Sequence, residues 1–198
     1  MGLNFSGMMN ASLNVLTKPS TASFEAAKST VNTTSTVVGL AAAGAITGLI
    51  AGLVTAFGIG AGVAGLIGGM IGGVIGGVIG ALIGFYVIQA VVFVVAKVFG
   101  GTGGYMDQAN LMATFYVPLL IVSALLGLIP VVGAILGFVV LAYELFLTGL
   151  GLQVAQSLPS QKAWLAVVVL VVLYIVFVVF LAAAVFAIVA GLGLLGGR

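Results

Sequence analysis

Residues 29–96, 108–143 and 163–197 of this 198-residue chain carry no charged side chain. A helix needs about 20 apolar residues to cross a bilayer, and each stretch is long enough to hold one. Only eight charges interrupt the chain: Lys18, Glu25, Lys28, Lys97, Asp107, Glu144, Lys162 and Arg198. At 4% charged and 63% hydrophobic, with a mean hydropathy of +1.46, the chain could not cover its surface in water. Soluble domains are roughly a quarter charged. No sustained apolar–polar alternation appears, which argues against a transmembrane barrel. The expected class is therefore all-α: a polytopic, integral membrane helical bundle.

Three spans are placed by their punctuation, at Leu111–Ile129, Val131–Ala155 and Trp164–Ala190. Pro130 and Pro159 mark the boundaries, because proline lacks an N–H and resists helix interiors. Pro118 falls inside a span and is expected to kink it, with neighbouring helices satisfying the freed carbonyl. Residues 37–99 hold either two long spans or three short ones. An unbroken helix from Ala61 to Phe99 would run about 58 Å at about 1.5 Å per residue. That exceeds the whole bilayer, so either a break, near Gly58–Gly62 or within the glycines that follow, or a protrusion is expected. Cytoplasmic loops carry an excess of Lys and Arg. With five spans and a cytoplasmic N-terminus, Lys18, Lys28, Lys97 and Lys162 all face the cytoplasm and only Arg198 lies opposite. Six spans would divide them three to two. Five spans in the plasma or inner membrane is the reading adopted, with six as the alternative.

Residues 1–34 read as a cytoplasmic or interfacial amphipathic segment, and residues 35–198 as the transmembrane domain. Phe5, Met8, Met9, Leu13 and Leu16 recur at helical spacing, as do Phe24, Ala27 and Val31 after Pro19. No basic stretch precedes an apolar core, so no signal peptide is expected. The alternative is a flexible polar tail.

A glycine zipper occupies residues 60–84. Gly68, Gly72, Gly76, Gly80 and Gly84 form one stripe; Gly65, Gly69, Gly73 and Gly77, continued by Ala81, form another. Glycine at this spacing lets a second helix backbone approach closely. The stripes could pack against another span of the same chain. The second reading is a homo-oligomer or partner interface, or a pore lining.

Glu144 sits at the midpoint of its span, where a charge costs a few kcal/mol or more. It is expected to face the protein and to be protonated, since desolvation disfavours the charged form. Gln89, Tyr116, Tyr143, Thr148, Tyr86, Ser123 and Tyr174 lie at depths from which they could bond it. An interhelical hydrogen bond fixing register is one role, and a proton or ion relay the other. Lys97 is expected to snorkel to the interface, and Trp164 beside Lys162 to anchor there. Asp107, Gln108 and Asn110 read as caps of the following helix. Gly100–Gly104 reads as a flexible turn, since it lacks the Lys-Ser/Thr pair of a phosphate-binding loop. Gln153, Gln156 and Gln161 read as solvated loop residues.

The chain has no His and no Cys. Haem held by either residue, structural zinc, iron–sulfur clusters, Cys nucleophiles and Ser-His-Asp triads are excluded. No cofactor is expected. A net charge of +2, scattered along the chain, is no nucleic-acid footprint.

Several stretches occur in an order and spacing that resemble the Yip family of five-span membrane proteins, and its prokaryotic branch in particular. They are Leu13-x-x-Leu16-x-x-Pro19-x-x-x-x-Phe24, Lys97-x-x-Gly100-Gly101, Tyr116-Val117-Pro118 and Leu128-Ile129-Pro130-Val131-Val132-Gly133. Gly149-Leu150-Gly151 and Leu158-x-x-x-Lys162-Ala163 complete the set. The resemblance runs from Leu13 to about Phe177. It implies a five-helix membrane domain with a cytoplasmic N-terminus and, for eukaryotic members, binding of prenylated Rab-type GTPases. The acidic Asp-Leu-Tyr-Gly-Pro stretch of those members is missing, and no functional residue is carried over. The function expected from the whole is a non-enzymatic scaffold or accessory subunit meeting membrane-protein partners, or a second copy, within the lipid bilayer. The alternative is a small transporter or channel using Glu144 and the glycine-rich helix.

Overall fold

The computed structural model describes the backbone of residues 4–196. The side chain of Phe5 and all of Arg198 lie outside the described residues. Seven helices follow one another: α1 (Phe5–Thr17), α2 (Thr21–Lys28), α3 (Thr33–Gly58), α4 (Val63–Val98), α5 (Tyr105–Leu126), α6 (Pro130–Ala155) and α7 (Ser160–Gly196). Among the described residues no strand occurs. The last five helices are long and apolar enough to cross a membrane, so the chain is a polytopic helical bundle with five spans.

The residues between Lys28 and Lys97 resolve into two spans. Helix α3 stops at Gly58, and Gly60 takes φ +64 in the connecting turn. Glycine adopts that left-handed backbone without steric cost. With 36 residues, α4 is about 54 Å long at about 1.5 Å per residue. It outruns the hydrocarbon layer and must tilt or carry its ends into the headgroups.

Two boundaries differ from expectation. Helix α5 begins at Tyr105, not Leu111, and α7 at Ser160, not Trp164. In α5 the added polar residues Gln108 and Asn110 are covered by neighbouring elements, whereas those added to α7, Ser160, Gln161 and Lys162, stay exposed. Helix α5 continues through Pro118.

The two short helices pack against the bundle at its N-terminal side, the side that carries residue 4 and the 99–104 and 156–159 loops. Side chains of Ser20 and Asn32 cap α2 and α3, accepting from the N–H of Ser23 (3.2 Å) and Ser35 (2.9 Å). Phe24 of α2 is fully buried, edge-on to Phe115 of α5 at 6.1 Å between centroids. Val15 of α1 is fully buried too, and the Tyr143 hydroxyl of α6 donates to the Leu16 carbonyl at 2.6 Å. The buried face of α1 is Met8, Ala11, Ser12 and Val15; Met9 and Leu13, read on that face from the sequence, are exposed. Burying a side chain of the size of Phe or Val stabilises by about 1.5–3 kcal/mol where the alternative is water.

Packing is uneven along the bundle axis. The largest buried side chains, including Leu40, Phe85, Leu111, Met112, Leu147 and Leu152, gather toward the N-terminal side. From Val172 to Gly191, α7 is almost wholly exposed. In a bilayer those apolar faces meet lipid, which is as apolar as they are.

Candidate functional site

Helix α4 sorts its residues by face. Ile67, Ile71, Ile75, Ile79 and Ile83 form an outward ridge, each more than half exposed. The next face is Gly68, Gly72, Gly76, Gly80 and Gly84, and a Cβ added to any of them would meet nothing within 4 Å. The face beyond is Gly69, Gly73, Gly77 and Ala81, and this one is used. The carbonyls of Gly69, Gly73 and Gly77 lie directly against Gly52, Gly48 and Gly44 of α3. The pairs step by four residues in opposite directions from the turn at Gly60. A Cβ at Gly69 would lie 2.9 Å from the Gly52 carbonyl oxygen, so any larger residue must push the backbones apart. Gly65 stands near the turn, where an added Cβ would meet that of Ala61 at 2.6 Å.

The α3 partner stripe, Gly44, Gly48 and Gly52 continued by Ala56, was not singled out from the sequence. Its four-residue spacing, antiparallel to that of α4 across a short turn, was the available signal. The open glycine face borders a shallow groove between α3, α4 and α5, lined in part by Thr47, Ala51 and Tyr116. Tyr116 packs on Phe85, with centroids 4.9 Å apart.

Glu144 is partly buried on α6, and its carboxyl makes no hydrogen bond to any described residue. Three of the expected partners are engaged elsewhere, and the buried Tyr86 hydroxyl has no partner at all. Thr148 Oγ1 donates to the backbone carbonyl of Glu144 at 2.7 Å, Tyr143 bonds Leu16, and Gln89 belongs to a separate cluster. Tyr174 is exposed. The register-fixing hydrogen bond expected of Glu144 is therefore not made.

That role falls to amides instead. Gln156 Nε2, at the end of α6, donates to Gln108 Oε1 of α5 at 2.9 Å. Gln108 Nε2 in turn donates to Gln89 Oε1 (3.1 Å) and to the Gln89 backbone carbonyl (3.2 Å) of α4. Gln108 and Gln156 are fully buried and Gln89 nearly so. Three helices are tied by one directional chain, in which Gln156 Oε1 is left without a donor. Nearby, Asn110 Nδ2 donates to Thr33 Oγ1 at 3.1 Å. Gln108 and Asn110 thus do not cap α5: its cap position is Gly104, with no side-chain bond. Asp107 lies exposed in the first turn, and Gln156 is no solvated residue. The reason is the early start of α5, which turns these amides inward against α3, α4 and α6. A group of amides clustered near the loops of one membrane side was the sequence signal for this.

The 99–104 loop is held, not flexible. The Lys97 ammonium donates to the carbonyls of Gly101 (3.0 Å) and Gly103 (2.7 Å) and stands 4.9 Å from the Phe93 ring centroid. The Gly101 position is walled by Gln156, whose Oε1 would lie 2.7 Å from an added Cβ. The Tyr105 hydroxyl donates to the Tyr86 carbonyl at 2.7 Å. Lys18, Lys28 and Lys162 are exposed on the same side of the bundle. Trp164 is half-buried, stacked on Phe146 at 5.8 Å and crowding Gly149. Among the described residues no group of acidic side chains could hold a metal ion.

A family model for the Yip1 domain matches residues 13–184, nearly the whole of the bundle and most of the N-terminal segment. Comparison with curated proteins and with solved structures returns no match. The chain belongs to the Yip1-domain family and is an integral membrane protein built on five apolar helices.

Proposed function

We propose that this Yip-family protein is a non-enzymatic membrane scaffold or accessory subunit that binds a partner membrane protein, or a second copy of itself, through helix–helix contact. The observation that carries this reading is the open glycine face of α4. The same helix shows what such a face does when occupied, since its neighbouring stripe brings two backbones into contact along α3. Small-residue faces associate in lipid by close packing and not by hydrophobic exclusion. The N-terminus is assigned to the cytoplasm, because Lys18, Lys28, Lys97 and Lys162 share its side. Residues 4–34 then form a cytoplasmic cap seated on the bundle.

Extraction from the native membrane in mild detergent, with the mass and composition of the product measured, tests the proposal. A stoichiometric complex or homo-oligomer is expected, lost in Gly76→Leu with the monomer still folded. A lone monomer would refute it. The partly buried, unbonded Glu144 supports a second reading as a small transporter or channel. Flux into liposomes that Glu144→Gln abolishes would favour that reading.

A further inference from the structure

Two of the four lysines on the N-terminal side converge on one loop. Lys97, in the last turn of α4, bonds the carbonyls of Gly101 and Gly103. Lys162, in the first turn of α7, reaches the neighbouring residue: its Nζ would lie 3.6 Å from a Cβ at Gly100. Gly100 has φ +94 and no Cβ, which leaves that approach open. Neither ammonium pairs with a carboxylate among the described residues. Like charges brought to adjacent residues repel, and an anion between them removes the conflict. The first turn of α5 adds N–H groups that lack a side-chain cap. Asp107, exposed beside Gly104, is a carboxylate close by and opposes an anion there.

Both lysines stand where apolar spans begin. Within one turn toward the membrane interior, Lys97 is followed by Val94 and Lys162 by Leu165, each more than half exposed. A cationic seat continuous with apolar walls fits a lipid better than a free ion. We propose that Lys97, Lys162 and the Gly100–Gly104 loop hold the phosphate of an anionic phospholipid, whose acyl chains lie along the exposed apolar faces of α4 and α7. This site is separate from the glycine face and stands or falls independently of any protein partner.

The chain carries its own probe, since Trp164 is the only tryptophan and lies two residues from Lys162. The full chain is placed in phosphatidylcholine bilayers, and Trp164 fluorescence is quenched by brominated phosphatidylglycerol or brominated phosphatidylcholine. The wild type is expected to prefer phosphatidylglycerol. Lys162→Gln should lower that preference about fivefold, the equivalent of about 1 kcal/mol for one juxtamembrane lysine. Lys162→Arg should retain it, Lys28→Gln should leave it unchanged, and Asp107→Asn should raise it. Equal quenching by both lipids in the wild type would overturn the proposal. So would an unaltered preference in Lys162→Gln, or an equal loss in Lys28→Gln, which would mark general surface charge. Complete reversal by millimolar inorganic phosphate at constant ionic strength would assign the site to a free anion and overturn the lipid reading.

Discussion

Two glycine faces run side by side along α4, alike in composition and spacing, and the fold uses one of them. Along Gly69, Gly73 and Gly77 the α3 backbone lies in contact, and no larger residue fits. Along Gly68, Gly72, Gly76, Gly80 and Gly84 there is open space. Glycine costs a helix about 1 kcal/mol relative to alanine in water. On the first face that cost is offset by backbone contact within the chain. On the second face nothing in the monomer offsets it, which is why a second helix is the proposed occupant. The lesson is that a small-residue stripe reports how closely a helix can approach, not which helix does.

Substitution is the direct way to break the comparison. Gly73→Leu should have the largest effect. The side chain would have to enter the α3 backbone at Gly48, and overpacking costs about 1–3 kcal/mol or more where backbones must part. Unfolding in a denaturing detergent titration should show that loss, and disulfide crosslinking between cysteines introduced at the far ends of α3 and α4 should weaken. An undiminished midpoint would mean that α3 and α4 do not depend on this contact. Gln108→Leu should come next, at about 1–3 kcal/mol, because it leaves the buried Gln89 and Gln156 amides without their shared partner. The same titration checks it, and Gln108→Asn should recover only part of the loss.

Smaller effects sharpen the contrast. Gly76→Leu, one residue before Gly77 but on the open face, should leave monomer stability within about 0.5 kcal/mol. Its effect should appear only in the mass of the extracted complex. Equal destabilisation by Gly73→Leu and Gly76→Leu would erase the distinction between the faces. Glu144→Gln should have the least effect on stability, since the carboxyl bonds to no described residue. If the scaffold reading is right, it also leaves proton flux into liposomes unchanged.

The places where sequence and structure part company follow the same logic. The spans were legible because a bilayer demands length and apolarity, and both are local properties. The turn at Gly58–Gly62 was only half legible: length alone allowed a break there, a break within the glycines that follow, or a protrusion, and α4 in fact runs unbroken for 36 residues past the turn. The amides were not legible. Gln108 and Asn110 stand shortly after a glycine loop, where short polar side chains usually cap, and only the six-residue earlier start of α5 carries them into the core. Gln156 looks like a loop residue and is buried because Thr102 and Gly101 fold over it; the Thr102 N–H donates to its carbonyl at 3.0 Å.

The sequence alone determined that this protein is helical, crosses the membrane several times, by the charge pattern five rather than six, and has no residues for His- or Cys-based chemistry. Each of these follows from composition and from apolar length along the chain. Tertiary structure alone decided which glycine face is filled, which glutamines meet, and that Lys97 and Lys162 reach one loop from helices far apart in the chain. Those are matters of distance between segments, and in a medium where every surface is equally apolar, hydropathy does not say which segments touch.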